Sequence, residues 1–152
     1  MLARPELVSQ DTDFSCAAAC LCMLLRAHGI ELSLNDARDR VDCHWDGTRP
    51  QALAMAARSL GLAGSRRYTL DSQELRAIVE EERYPIAMVK RRTVGAKRVL
   101  HAVVVDRISD TAVALLDPAP GKGEWDQPIG EFMQEWHWAG QEVTLVLREP
   151  YS

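Results

Sequence analysis

Residues 16–25, CAAACLCMLL, form a run of ten without a single charged, amide or hydroxyl side chain. A helix through such a run is apolar on every face, so it has to lie inside the protein with other elements packed around it. The run falls well short of the roughly 20 residues that cross a bilayer. The rest of the fold must therefore be built to cover this helix. Its start is marked by the polar, turn-forming stretch SQDTDFS at 9–15, and Gly29 is a natural stop at its other end. That frame sets Cys16 at the first turn of a buried helix, with Gln10 six residues upstream.

The spacing of apolar and turn residues predicts the partners of that helix. Ser33 is the expected N-cap of an amphipathic helix over 33–41. The turn DGT at 46–48 leads into a third helix that ends near SLGLAG, where Gly61 and Gly64 interrupt the pattern. A short strand is expected at 66–70. DSQE at 71–74 has the form of a capping box, an acidic cap with Glu three residues on, and starts a fourth helix. Beyond Pro85 the period shifts. PIAMVK, VLHAVVVDRI and TAVALLD read as strands, QPIGEFMQEWHW as one more short helix and EVTLVL as a closing strand. Helices come first and strands second, which predicts an α+β chain with an antiparallel sheet.

Several function classes drop out on composition. The net charge is −4, and the densest basic stretch, Lys90-Arg91-Arg92 followed by Lys97 and Arg98, is too small for a nucleic-acid footprint. It reads as the solvated tip of a hairpin. The N-terminus MLARPELVSQ lacks a signal-peptide core, and no apolar run is long enough to span a membrane, so the expected location is the cytoplasm. In a reducing compartment Cys16, Cys20, Cys22 and Cys43 are expected as free thiols.

Four positions carry chemistry. At the start of a helix Cys16 meets roughly half a positive charge and free N–H groups, which favour the nucleophilic thiolate over the thiol. His101 interrupts an apolar strand and can take a proton from the thiol and return it to a leaving amine. Asp117 ends the next strand, ahead of Pro118. In an antiparallel pair the start of one strand lies beside the end of its successor, so Asp117 can orient the imidazole. The side-chain amide of Gln10 can donate to the oxyanion of a tetrahedral intermediate, beside the backbone N–H of Cys16.

QDTDFSCAAACLCMLL, GTRPQALAMAARSLGL, LHAVVVDRI, LLDPAPG and IGEFMQEWHWAG together resemble the C39 peptidases, a papain-like family of cysteine proteases, in the right order along nearly the whole chain. The resemblance implies one papain-like domain over 1–152, with N-terminal helices packed on a C-terminal antiparallel β-sheet. It implies Cys16 as nucleophile, His101 as base, Asp117 as orienting residue and Gln10 in the oxyanion hole. It also implies a peptide or precursor-peptide substrate cut after small residues such as Gly-Gly, with no metal and no cofactor. A separate peptide-export transporter is a possible partner, because many relatives are transporter domains. The chain departs from the family at Ser15 and Ala17, where an acidic residue and a glycine are usual.

Other chemistry-bearing residues have plainer readings. Cys20 and Cys22 lie deeper in the helix and read as small buried hydrophobes. Cys43-His44 lacks the paired ligand spacing of a structural zinc site. His28 fits a helix C-terminus, where a cation is favourable, and His137 fits a packing contact. PGKGE lacks the spacing of a phosphate-binding loop. Two alternatives to a peptidase stay open: a C39-like domain that binds peptide with little or no activity, and a papain-fold acyltransferase or deamidase.

Overall fold

The computed structural model describes residues 2–41, 50–92 and 98–151. Five helices and six strands follow in the order α1 (Cys16–Ala27), α2 (Leu34–Arg40), α3 (Pro50–Ser59), β1 (Arg66–Thr69), α4 (Ser72–Glu80), β2 (Ile86–Arg92), β3 (Arg98–Ile108), β4 (Ala112–Asp117), β5 (Gly123–Pro128), α5 (Ile129–Trp138) and β6 (Glu142–Leu145). The turn at 46–48 and the Cys43-His44 pair lie outside the described residues, as does Lys97.

The strands form one sheet of order β1-β6-β2-β3-β4-β5, with every pairing antiparallel. Side chains alternate across its two faces. Ile86, Met88, Ala102, Val104 and Leu116 face one core together with α1, Ala37 of α2 and Leu53 of α3. Ala87, Val89, Val103, Val105, Val113 and Leu115 face a second core with Leu75 and Ile78 of α4 and Phe132 and Trp136 of α5. The N-terminal helices pack on the sheet as the sequence predicts, and α4 and α5 cover its opposite face.

Helix α1 is enclosed along its middle: residues 18–25 are all at 0% exposure. Burying a side chain the size of Leu or Met contributes about 1.5–3 kcal/mol, so this helix is the anchor of the first core. It stops at Gly29, whose φ of 80° is open to glycine at little cost. The Ile30 N–H then reaches back to the Leu25 carbonyl at 2.9 Å, closing the helix end. Ser33 caps α2 by accepting from the Asp36 N–H, and Asp71 with Glu74 forms the reciprocal capping box at α4.

Two sequence readings need correction. GEWDQP, which carries little apolar pattern, forms the edge strand β5, and α5 begins only after Pro128. Its partner β4 supplies the order, pairing Leu115 with Trp125 and Asp117 with Gly123. Lys90, Arg92 and Arg98 are exposed at the end of the β2–β3 hairpin as expected, but Arg91 does not belong to a solvated tip. Arg91 is a β2 residue with 17% side-chain exposure, and the Arg98 guanidinium stacks 3.6 Å from the Trp138 ring.

Candidate active site

The local structure before α1 explains how Cys16 is presented. Ser15 is fully buried, and its hydroxyl turns away from the helix that follows. The hydroxyl oxygen accepts from the Asp11 N–H at 3.1 Å and the Thr12 N–H at 3.0 Å, with the Asp11 carboxylate and Thr12 carbonyl within reach of its proton. Arg38 of α2 pins the other Asp11 oxygen at 2.5 Å. Ser15 therefore ties down the 11–15 loop and leaves the first turn of α1 without a side-chain cap and without an acidic residue. The leading N–H groups of a helix have no partner within it, so this end keeps its positive character for the Cys16 sulfur.

The Cys16 thiol reaches His101, along with the backbone of Ala102 and Ala17. The sheet register accounts for the Ala102 contact. Val105 N–H bonds to the Pro85 carbonyl, so odd-numbered β3 residues direct their N–H groups to β2. Even-numbered ones, Ala102 included, point the other way. There β4 has already ended, since Val104 pairs with Leu116 and Asp117 is the last β4 residue. The Ala102 N–H is thereby free to meet the sulfur.

The same register brings His101 and Asp117 together. One step beyond the Val104–Leu116 pair sets Asp117 beside Val103, two residues from His101 on the same face of the pleat. His101 Nε2 and Asp117 Oδ1 are 2.8 Å apart, which leaves Nδ1 as the ring nitrogen toward Cys16. Asp117 is completely buried and well satisfied. Oδ1 also accepts from the Ala119 N–H at 3.0 Å, and Oδ2 accepts from Arg91 Nη1 at 2.7 Å and Trp125 Nε1 at 2.9 Å.

These contacts set the protonation states. Burial works against the thiolate at Cys16, but the hydrogen bond and charge of His101 outweigh it, and the thiol pKa is lowered. Burial also works against the imidazolium at His101, yet Asp117 and then Cys16 carry its pKa above the ordinary value. For Asp117 burial is opposed by His101, Arg91 and Trp125, and the carboxyl is held far below the usual carboxylate range. Cys20 and Cys22 behave oppositely: burial pushes Cys20 well up and Cys22 up to about 11.

Gln10 stands apart from this chain of contacts. Its backbone N–H donates to the Pro118 carbonyl at 2.9 Å, which ties the loop before α1 to the turn after Asp117. Its Nε2 donates to the Thr12 carbonyl at 2.9 Å, and its Oε1 is buried without a partner. One amide N–H remains for a ligand, and the side chain also supports the loop, a role its polar surroundings in the sequence do not suggest. His28 differs from the helix-end cation expected of it. Its Nε2 lies 2.7 Å from the Val146 carbonyl, and burial lowers its pKa. His137 Nδ1 meets the Gln141 side chain at 2.8 Å. Among the described residues no three His, Cys, Asp or Glu side chains gather as a metal site would require. Sequence reasoning missed Arg91, Trp125 and Glu135, the side chains behind Asp117. The only trace of them is pleat parity, since Arg91 and Val89 share one face of β2.

The chain is similar to known proteins in sequence and in fold. The chain is 25% identical over 134 residues to the lactococcin-G-processing and transport ATP-binding protein LagD of Lactococcus lactis, matching over 86% of its own length and spanning 18% of the relative's. Its fold is similar to the peptidase domain of Streptococcus ComA, a bifunctional ABC transporter of a quorum-sensing pathway, with a TM-score of 0.75, 19% identity, and 96% of this chain and 98% of that one covered. It is also similar to a double glycine motif protease from an AMS/PCAT transporter, solved in complex with the leader peptide, with a TM-score of 0.72, 21% identity, and coverage of 95% and 91%. Among the described residues no helix is long and apolar enough to cross a membrane. The Peptidase C39 family matches residues 4–148, nearly the whole chain, and this protein belongs to that family.

Proposed function

We propose that this protein is a cysteine peptidase that cleaves a precursor peptide after small residues such as Gly-Gly, through an acyl-enzyme on Cys16. The observation that carries the reading is the continuous contact from the Cys16 thiol through His101 to buried Asp117, with the thiol lowered and the imidazole raised. Opposite shifts of that kind favour a thiolate–imidazolium pair, the form ready to react.

The steps follow from the atoms. The Cys16 sulfur attacks the scissile carbonyl, and the carbonyl π electrons move onto oxygen. That oxyanion is met by the Cys16 backbone N–H and the remaining N–H of the Gln10 side chain. His101 then gives its proton to the leaving amine as the C–N bond breaks. Water, losing a proton to His101, attacks the thioester; the acid is released as the C–S bond breaks, which restores the Cys16 thiolate beside protonated His101. Asp117 keeps the ring turned so that Nδ1 faces the sulfur throughout. The domain is read as one unit over 1–152, acting in the cytoplasm beside an export transporter.

Support for the substrate class comes from the similarity to LagD and to the double glycine motif protease. The test is a synthetic peptide bearing a Gly-Gly leader junction, incubated with wild-type protein and with Cys16→Ala. Cleavage after Gly-Gly by the wild type alone supports the reading. Tight binding without cleavage by either protein supports a binding domain, and transfer of the acyl group to an added amine in preference to water supports an acyltransferase.

A further inference from the structure

Behind Asp117 lies a second set of charges that the peptidase reading does not use. Arg91 of β2 donates through Nη1 to Asp117 Oδ2 at 2.7 Å, and its Nε is 3.4 Å from Glu135 Oε1 of α5. Glu135 also accepts from Gln127 Nε2 at 2.9 Å, on β5. The side chains are 17% exposed at Arg91, 0% at Asp117 and 14% at Glu135, so solvent screens them only in part. The third guanidinium nitrogen, Nη2, is buried with no partner. The two side-chain acceptors that Arg91 does meet, Asp117 and Glu135, both carry the opposite charge.

The charge of Arg91 is not needed to fix the Asp117 rotamer. Trp125 Nε1 and the Ala119 N–H already hold both carboxylate oxygens. Its remaining effect is on His101. Asp117 stabilises the imidazolium, and a cation 2.7 Å behind the carboxylate offsets part of that stabilisation. Glu135 offsets part of the cation in turn. We propose that Arg91, balanced by Glu135, is a positioning residue that acts through Asp117 to set the pH window in which Cys16 and His101 form their reactive pair. The inference rests on the peptidase reading of that pair.

Among the described residues, the charged and titratable groups around it come from four elements. Helix α1 contributes Cys16, β2 Arg91, β4 Asp117 and α5 Glu135, with Glu131 sharing Gln127. Strand β5 contributes the neutral Trp125, whose ring centroid lies 5.6 Å from the Arg91 guanidinium and 4.4 Å from the ammonium of Lys122 in the turn before it. Removing the Arg91 charge should raise both the acid limb, set by the Cys16 thiol, and the alkaline limb, set by the His101 imidazolium. Removing the Glu135 charge should lower both.

The experiment reads the acid limb as the rate of Cys16 alkylation by iodoacetamide against pH, and the alkaline limb as loss of the His101 imidazolium in an NMR titration; neither needs a substrate. Wild type, Arg91→Gln, Arg91→Lys, Glu135→Gln and His101→Gln are compared, each with a thermal melt. Arg91→Gln is expected to move both limbs alkaline by about half to one unit, the scale of one partly screened charge. Arg91→Lys should restore the wild-type limbs, and Glu135→Gln should move them the other way. Limbs that coincide with wild type in Arg91→Gln or Glu135→Gln, with or without a lowered melting temperature, overturn the proposal. If Arg91→Gln does not fold, Glu135→Gln alone decides by the sign of its shift. A wild-type profile in His101→Gln would instead defeat the underlying Cys16–His101 reading, so the two failures are distinct.

Discussion

The backbone N–H of Gln10 donates to the carbonyl of Pro118 at 2.9 Å. This bond joins the loop that delivers Cys16 to the turn that ends Asp117. The loop preceding the thiol is thus fixed against the same strand end that orients the histidine. Because it is a main-chain bond, it survives any substitution at Gln10 except proline, which separates the local role of the side chain from the register of the loop.

Replacement of Gln10 by Ala should therefore act on rate more than on folding. Loss of one oxyanion donor costs about 100- to 1000-fold in turnover. The side-chain bond to Thr12 is exposed, so stability should fall by less than about 1 kcal/mol. Turnover on a Gly-Gly peptide and a melt of the same preparation check this. Unchanged turnover, or a loss matched by unfolding, removes Gln10 from the oxyanion site.

Cys16 should alkylate ahead of every other thiol near neutral pH. Its pKa is lowered, whereas burial raises those of Cys20 and Cys22. Limiting iodoacetamide followed by peptide mass mapping reads the site directly, with Cys43 as the remaining competitor. First labelling at any of the other three would contradict the proposed nucleophile.

Substitution of Asp117 by Asn leaves Arg91 half-buried with Glu135 as its remaining carboxylate. Breaking a fully buried pair costs about 3–5 kcal/mol, and the partial exposure of Arg91 with its second partner reduces this to about 2 kcal/mol. The folded-state pKa of Asp117 is depressed below 3.8, so its contribution is fully present above that value and disappears as pH falls through the folded-state value. His101 runs the opposite way. Its pKa is raised above 6.5, so its contribution is complete below 6.5 and disappears as pH rises through the raised value. Melts of Asp117→Asn and His101→Gln across pH should show gaps to wild type that close at opposite ends of the range. A pH-independent gap in either variant would contradict this assignment of charge.

Ser15→Ala should destabilise the protein by about 1–3 kcal/mol, because the Asp11 and Thr12 N–H groups lose a buried acceptor. It should also slow turnover, since the same loop carries Gln10. A chemical denaturation curve with an unchanged midpoint would show that the hydroxyl does not anchor the loop.

By itself the sequence determined the elements whose signals are local. The apolar run at 16–25 dictated a buried helix, Ser33 and Asp71 announced their caps, and alternation after Pro85 announced most of the sheet. It also singled out Cys16, His101 and Asp117, because a thiol at a helix start and a histidine and aspartate on successive strands are visible along the chain. Only the tertiary structure decided β5, whose residues carry little strand pattern until β4 offers its edge. It alone decided the neighbours of Asp117 as well. Arg91, Trp125 and Glu135 come from β2, β5 and α5, and what brings them to one carboxylate is strand register and the packing of a helix on a sheet face. Those are relations between distant segments, and a basic triplet such as Lys90-Arg91-Arg92 looks the same in sequence whether it meets water or a buried aspartate.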